Sequence, residues 1–231
     1  FSRELGTRLI QILEKNKQAI LYISRKGLSS GLVCRDCGHI VKCTNCDVPL
    51  VLHQTPILIC HHCGQKQKPT TVCPQCQSYR IKFIGAGTQR VEQELKKLLL
   101  ENKVPPESLE IARLDSDLTP TWGEQKKILD GFQREGSILI GTQLMLKEML
   151  LPKVDLVSII TIDPLLSLPD FKVNEHAYRI IDKLKTLILH SDPQCMSTIL
   201  LQTYIVDNDI VRGISVNTHT FFKNELKSRK E

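Results

Sequence analysis

Eight of the nine cysteines fall between Cys34 and Cys76 as four Cys-x-x-Cys pairs: Cys34/Cys37, Cys43/Cys46, Cys60/Cys63 and Cys73/Cys76. Two intervening residues let both sulfurs of a pair face one ion at about 2.3 Å, and four pairs supply the ligands of two closed tetrahedral Cys₄ zinc sites. Gly38 and Gly64 each follow a second cysteine, where the turn out of a knuckle needs a permissive backbone. The five residues between Cys37 and Cys43 leave little chain to return the second pair to the same ion. Cys43/Cys46 and Cys60/Cys63, by contrast, are spaced much as in a zinc ribbon. The spacing therefore predicts a nested arrangement. Cys34, Cys37, Cys73 and Cys76 form site 1, and Cys43, Cys46, Cys60 and Cys63 form site 2. A closed Cys₄ site keeps no position for water, so both zinc ions are expected to be structural.

Other chemistry for these residues is weaker. His39, His53, His61 and His62 lie among the pairs, but the cysteines already fill two sites, which leaves the histidines to the surface or to hydrogen bonds with the ligands. A thioredoxin-like dithiol needs one special pair in a strand–helix context, and four equivalent pairs argue against it. An iron–sulfur cluster fits the ligand count, yet paired knuckles followed by glycine favour zinc. Without a secretory signal, such crowded thiols point to metal in a reducing cytoplasm and not to disulfides. Cys195 stands alone near an apolar run and reads as a small buried hydrophobe.

The elements around this stretch alternate. Ser2 to Asn16 has helical spacing (Leu5, Leu9, Ile10, Ile12, Leu13) with Ser2 as N-cap, and Gln18 to Ser24 reads as a buried strand. Beyond the cysteines, Thr88 to Asn102 is an amphipathic helix, Leu109 to Leu114 a strand and Thr121 to Arg134 a helix. Ser137 to Gly141 and Asp155 to Asp163 suit strands buried on both faces. Val173 to Leu189 follows as a helix, Met196 to Thr203 as a strand, and 208 onward as a polar helical tail. Strands alternating with helices predict an α/β domain with a mainly parallel sheet, interrupted by a loop-rich zinc-binding module. The expected division is 1–30 (first helix and strand), 31–82 (the two-zinc insert), 83–207 (the rest of the α/β lobe) and 208–231 (a helix leading out).

The 41% hydrophobic content suffices for a real core, and no apolar run of about 18 residues exists to cross a membrane. Phe1 in place of a starting Met predicts a piece of a longer polypeptide. The formal charge of +6 hints at an acidic partner, but eight thiolates holding two dications lower it to about +2. Charge alone is therefore a weak argument for nucleic acid. Gly141-Thr142-Gln143 after a strand, and Gly85-Ala86-Gly87-Thr88 before a helix, suit phosphate contact through backbone N–H groups and hydroxyls. On this basis Thr88, Gln89, Arg90, Thr142, Gln143 and Lys147 are the candidate DNA-binding residues. Asp115 and Asp117 sit in a polar loop and receive no acid–base role, so no catalytic residue is assigned.

The runs SRKGLSSGLVCRDCGHIVKCTNCDVPLVLH, CHHCG and CPQC, with GAGTQRVEQEL (Gly85 to Leu95), RLDSD (Arg113 to Asp117), ILIGTQ (Ile138 to Gln143) and ILLQTY (Ile199 to Tyr204), closely resemble the second motor lobe of the PriA-type replication-restart DNA helicases, the primosomal protein N′ family. The resemblance covers nearly the whole chain. It implies a RecA-like helicase lobe carrying a two-zinc insert just after its first strand. It also implies a parent acting as an ATP-dependent 3′–5′ helicase in replication restart and primosome assembly. Its partners would be forked or single-stranded DNA and, through the zinc module, replication-restart or primosome proteins. No G-x-x-x-x-G-K-[ST] is present, so ATP and Mg²⁺ would be held through an upstream lobe outside this chain.

Two segments depart from that pattern. The family's arginine-finger run is expected after Asp170-Phe171 and Glu175 to Tyr178, but the chain reads RIIDKLKTLILHS, with Leu187 and His190 where arginines are expected. Leucine cannot stabilise charge on a transferring phosphoryl group, and such a loss costs about 10³-fold or more in turnover. After Gly141-Thr142-Gln143, Glu148 replaces a glycine. Arg179, Lys183 and Lys185 are near enough in sequence to substitute, but they read as a solvated helix face, as does the run from Lys223 to Lys230. The alternative expectation is thus a catalytically degenerate, helicase-like zinc scaffold that binds DNA or replication proteins without ATP-driven unwinding. Leu50, Val51, Leu52, Ile57, Leu58 and Ile59, apolar in a small module, are expected either to form the zinc module's protein-contact surface or to pack around the zinc sites.

Overall fold

The structure, a computed structural model, describes residues 1–24, 31–52, 57–60, 62–84, 87–115, 121–135, 137–147, 151–152, 154–166, 172–188, 198–213 and 218–228. In chain order the first elements are α1 (Arg3–Glu14), β1 (Ala19–Tyr22), β2 (Gly31–Cys34), β3 (Val51–Leu52), β4 (Leu58–Ile59), β5 (Lys66–Gln67) and β6 (Ile81–Ile84). There follow α2 (Thr88–Glu101), β7 (Ile111–Leu114), α3 (Trp122–Glu135), β8 (Ile138–Gly141), α4 (Leu144–Lys147) and β9 (Leu156–Ile159). The last are α5 (Asp163–Leu166), α6 (Val173–Lys185), β10 (Thr198–Leu201), α7 (Asp209–Gly213) and α8 (Thr218–Ser228).

Two compact units emerge. The first comprises residues 1–25, 87–161 and 180–202. Its core is a five-stranded sheet in the order β10-β9-β1-β8-β7, with every pairing parallel. The alternation of strands and helices predicts such a sheet, and all residues of β1, β8 and β9 are buried, as their unbroken apolar sequence requires. The strand order reverses beside β1, so the C-terminal ends of β1, β8 and β9 lie at the position where open α/β sheets receive ligands. Helix α1 starts where Ser2 accepts a hydrogen bond from the Leu5 N–H at 3.2 Å, and it buries Leu5, Leu9 and Leu13. Helix α2 buries Val91, Leu95 and Leu99 at the same spacing. Thr121 and Glu124 cap α3 reciprocally, each accepting from the other's backbone N–H.

The second unit comprises residues 26–86, 162–179 and 203–231. The expected insert, 31–82, lies within it, joined by two stretches distant in sequence. The insert is not merely loop. Strands β2 and β6 pair antiparallel, Gly31 with Ile84 through Cys34 with Ile81, and so close its entry and exit. Strands β3, β4 and β5 form a small antiparallel sheet. Elsewhere in this unit Tyr178 stacks on Phe221 with ring centroids 4.0 Å apart, and Phe222 meets both edge-on.

Helix ends differ from the sequence reading in two places. The helix expected to reach Leu189 stops at Lys185, because Ile188 bridges to Val154 and the Leu187 carbonyl accepts the Val154 N–H at 2.8 Å. The tail read as one helix contains both α7 and α8. Among the described residues no helix is long and apolar enough to cross a membrane.

Candidate metal centre and sheet-end turns

The four Cys-x-x-Cys turns share one backbone design. In each, the N–H after the second cysteine returns to the carbonyl of the first: Gly38 to Cys34 (3.0 Å), Asp47 to Cys43 (3.0 Å), Gly64 to Cys60 (2.8 Å) and Gln77 to Cys73 (3.0 Å). The first cysteine's own N–H then donates to the carbonyl five residues on, in His39, Val48, Gln65 and Ser78 respectively. This closure requires positive φ after the second cysteine, and Gly38 (73°), Asp47 (54°), Gly64 (74°) and Gln77 (60°) all have it. Glycine marks the two turns that sequence can recognise; aspartate and glutamine hide the other two.

The turns bring the thiols together in the nested order that the spacing predicts. Cys34, Cys37, Cys73 and Cys76 form one group and Cys43, Cys46, Cys60 and Cys63 the other, with the sulfurs of each group within 4.8 Å of one another. Cys34 and Cys76 Sγ are 3.5 Å apart, Cys37 and Cys73 3.6 Å, and Cys43 and Cys63 3.6 Å. Zn–S bonds of about 2.3 Å in a tetrahedron place sulfurs roughly 3.8 Å apart, whereas a disulfide needs about 2.05 Å. The donor sets therefore fit two zinc ions and are not oxidised pairs; all eight are free cysteines.

Local electrostatics favours the thiolate form at Cys34 and Cys60 and, with the thiols crowded together, opposes it at Cys37, Cys43, Cys46 and Cys76. The Cys37 N–H aimed at Cys34 holds that thiol down to about 6, and the Cys63 N–H does the same for Cys60, to about 7. Cys46 is pushed up to about 12, chiefly by the Cys63 thiol beside it. Four crowded sulfurs resist ionising together until a cation sits among them. Of the nearby histidines, His62 is exposed with Nδ1 3.2 Å from Cys46 Sγ, as a residue bonded to a ligand and not a ligand itself. His39 contributes its carbonyl to a knuckle; His53, His61 and Cys195 fall outside the described residues. Around site 2, Leu32, Val41, Leu50 and Leu58 pack against Cys43 and Cys60. Leu50 and Leu58 are thus core, and Ile57 and Ile59 are half-buried. Of the proposed contact surface the side chains of Val51 and Leu52 are outside the described residues.

Gly87-Thr88 and Gly141-Thr142 lie at one end of the parallel sheet. Thr88, first residue of α2, is buried and gives its hydroxyl to the buried Asp115 carboxylate just beyond β7. The Leu114 carbonyl next to it accepts the Thr142 N–H at 3.3 Å. Thr142 is itself buried, and its carbonyl starts α4 by accepting from Met145 at 2.9 Å. Gln143 is half-buried, while Gln89 and Arg90 are exposed on the first turn of α2. Lys147 ends α4, with its side chain outside the described residues, as are Gly85, Ala86, Asp117, Glu148, Asp170, Phe171 and His190. The Thr88–Asp115 pair was not foreseeable, because nothing in a separation of 27 residues signals it. Nor were the buried hydroxyls of Tyr22, Ser24 and Ser158, which have no partner among the described residues; burial pushes the Tyr22 phenol far above its usual range.

Leu187 is half-buried, with its backbone tied to Leu184 and Val154. Of the possible substitutes, Arg179 lies 3.9 Å from Glu175 and 5.7 Å from the Phe222 ring, and Lys183 donates to the Leu146 carbonyl at 3.4 Å.

Comparison with known proteins agrees with this arrangement. Residues 43–68 match the model of the PriA DNA helicase Cys-rich region domain. The whole chain is 33% identical to 28% of the replication restart protein PriA of Bacillus subtilis, and 31% identical to 30% of that of Thermotoga maritima. It is 36% identical to 34% of the protein of that name from Borreliella burgdorferi. The resemblance read from the cysteine run and the α/β motifs thus holds along the full chain. The chain spans about a third or less of the length of these relatives.

Proposed function

We propose that this chain, related along its entire length to a segment of replication restart protein PriA, serves as the second, RecA-like motor lobe and zinc module of a PriA-like DNA helicase acting in replication restart. The observation that carries the reading is the unbroken similarity through both units, cysteine tetrads and parallel sheet alike. In this reading the zinc ions supply rigidity, pinning four turns that the small core could not hold alone. The sheet-end turns meet the DNA backbone, with exposed Gln89 and Arg90 and the Gly141-Thr142-Gln143 turn as the contact residues, and Lys147 beside them. ATP and Mg²⁺ are bound by a P-loop lobe elsewhere in the parent. Primosome proteins dock on the zinc module, and the parent works on forked or single-stranded DNA in the cytoplasm.

One observation favours a second reading. Leu187 occupies a position where the helicase pattern expects arginine, and its main chain is built into the contact with Val154. A lobe without that cation would bind DNA or replication proteins as a scaffold. Single-stranded-DNA-stimulated ATP hydrolysis by the complete parent polypeptide separates the two. Stimulated turnover from about 1 s⁻¹ upward is expected of a motor. None, with zinc and DNA affinity intact, would leave the scaffold.

A further inference from the structure

The two metal sites have the same knuckle design but different surroundings, and the difference centres on equivalent glycines. Gly38 and Gly64 each follow a second cysteine at φ of 73° and 74°. A Cβ added at Gly64 would meet nothing described within 4 Å. One added at Gly38 would meet Tyr204 Cβ at 3.3 Å and the Tyr204 carbonyl oxygen at 3.4 Å. Tyr204 belongs to a stretch far from the cysteines in sequence, yet its backbone presses on the first turn of site 1.

That backbone is held from behind. The Tyr204 N–H donates to both carboxylate oxygens of Asp163, at 3.1 and 3.2 Å. The neighbouring Thr203 hydroxyl donates to the same carboxylate and accepts the Ile205 N–H at 3.0 Å. Asp163 is only 3% exposed, and a buried carboxylate bonded to main-chain N–H groups is a rigid anchor. Asp163, Thr203, Tyr204 and Gly38 all lie in the second unit.

We propose that Asp163 and Tyr204 form a clamp that retains the zinc of site 1, whereas site 2 keeps its ion by the cysteine-rich stretch alone. Asp163 is a positioning residue: it acts through Tyr204 on the turn that carries Cys34 and Cys37. The proposal rests on the two-zinc reading and not on any role in replication.

The test is chelator-driven zinc release from the full chain, followed with a colorimetric zinc indicator after counting zinc at the start. Wild type is expected to hold two zinc ions and release them in separable phases. Asp163→Ala should speed the slower phase about tenfold, the lower end of what residues supporting a ligand set contribute, and leave the other unchanged. In a Cys60→Ser/Cys63→Ser background the remaining ion should show the same acceleration. Gly38→Ala and Gly64→Ala form a matched pair on the intact tetrads, since both carry the same φ strain. Gly38→Ala should lose its ion faster than Gly64→Ala, and adding Asp163→Ala should remove that difference, because a freed Tyr204 can withdraw. Equal acceleration of both ions by Asp163→Ala, or equal behaviour of the two glycine variants, overturns the clamp. A starting count other than two overturns the ligand reading first, and the clamp with it.

Discussion

Replacing Gly141 with alanine tests whether the Gly-Thr-Gln turn is shaped by packing within the sheet. Gly141 ends β8, paired in register with Tyr22 of β1 and Leu114 of β7. A Cβ there would run into Met145 Sδ, meet Met145 Cγ at 2.6 Å and meet the Leu114 carbonyl oxygen at 2.9 Å. The methionine can swing, at the expense of a fully buried side chain. The carbonyl cannot, because it belongs to a paired strand and accepts the Thr142 N–H. Overpacking of this kind costs about 1–3 kcal/mol, against a gain of roughly 0.4–1 kcal/mol from a stiffer unfolded chain, so a net loss of about 1–2 kcal/mol is expected. Gly131 supplies the control: it lies inside α3 with nothing described within 4 Å of a new Cβ, so Gly131→Ala should gain about 0.5–1 kcal/mol. Urea unfolding of the zinc-loaded chain, followed by the fluorescence of the sole tryptophan, Trp122, reads both. Met145→Ala should itself be destabilising, yet combined with Gly141→Ala it should cost less than the sum of the two. A Gly141→Ala protein as stable as Gly131→Ala, or strict additivity with Met145→Ala, would refute the packing argument.

Cys60→Ser with Cys63→Ser should lower metal content from two zinc ions to one per chain by elemental analysis and expose the β3-β4-β5 sheet to protease; an unchanged count of two would break the ligand assignment. Arg90→Ala should weaken DNA binding by a similar factor for all sequences and reduce the slope of log affinity against log salt by about 1, with thermal stability unchanged. An unaltered slope would remove Arg90 from the phosphate contacts.

The parallel sheet was legible because its strands are short apolar runs set between helices whose leucines repeat at helical spacing: Leu5, Leu9 and Leu13 in α1, and Val91, Leu95 and Leu99 in α2. The metal centre was legible for a different reason. A knuckle is a local structure, and sulfur spacing alone limits which pairs can share an ion. What stayed hidden is long-range or conformationally disguised. Asp47 and Gln77 take the backbone shape of glycine without its name. Thr88 finds Asp115, and Tyr204 finds Gly38 and Asp163, only after the chain has folded. The early end of α6 follows from the same cause, since the pairing of Ile188 with Val154 overrides a helical pattern that runs on in the sequence.

These hidden contacts bear on how far family likeness can be taken as evidence of DNA contact. Gly141 is constrained by Met145 and Leu114, Thr142 by the Leu114 carbonyl, and Thr88 by Asp115. Each has an internal task that would preserve it in a lobe that never touched nucleic acid. The matching threonines and glycine are therefore weak witnesses for DNA binding, however well they fit the helicase pattern. Gln89 and Arg90 are different: both are exposed on the first turn of α2, and neither makes a side-chain hydrogen bond or ion pair among the described residues. The zinc turns follow the same logic as the threonines, since their cysteines and positive-φ residues are required to hold the module whether or not a motor drives it. Motor and scaffold thus share nearly all of this architecture. They part at Leu187, where the helicase pattern expects an arginine.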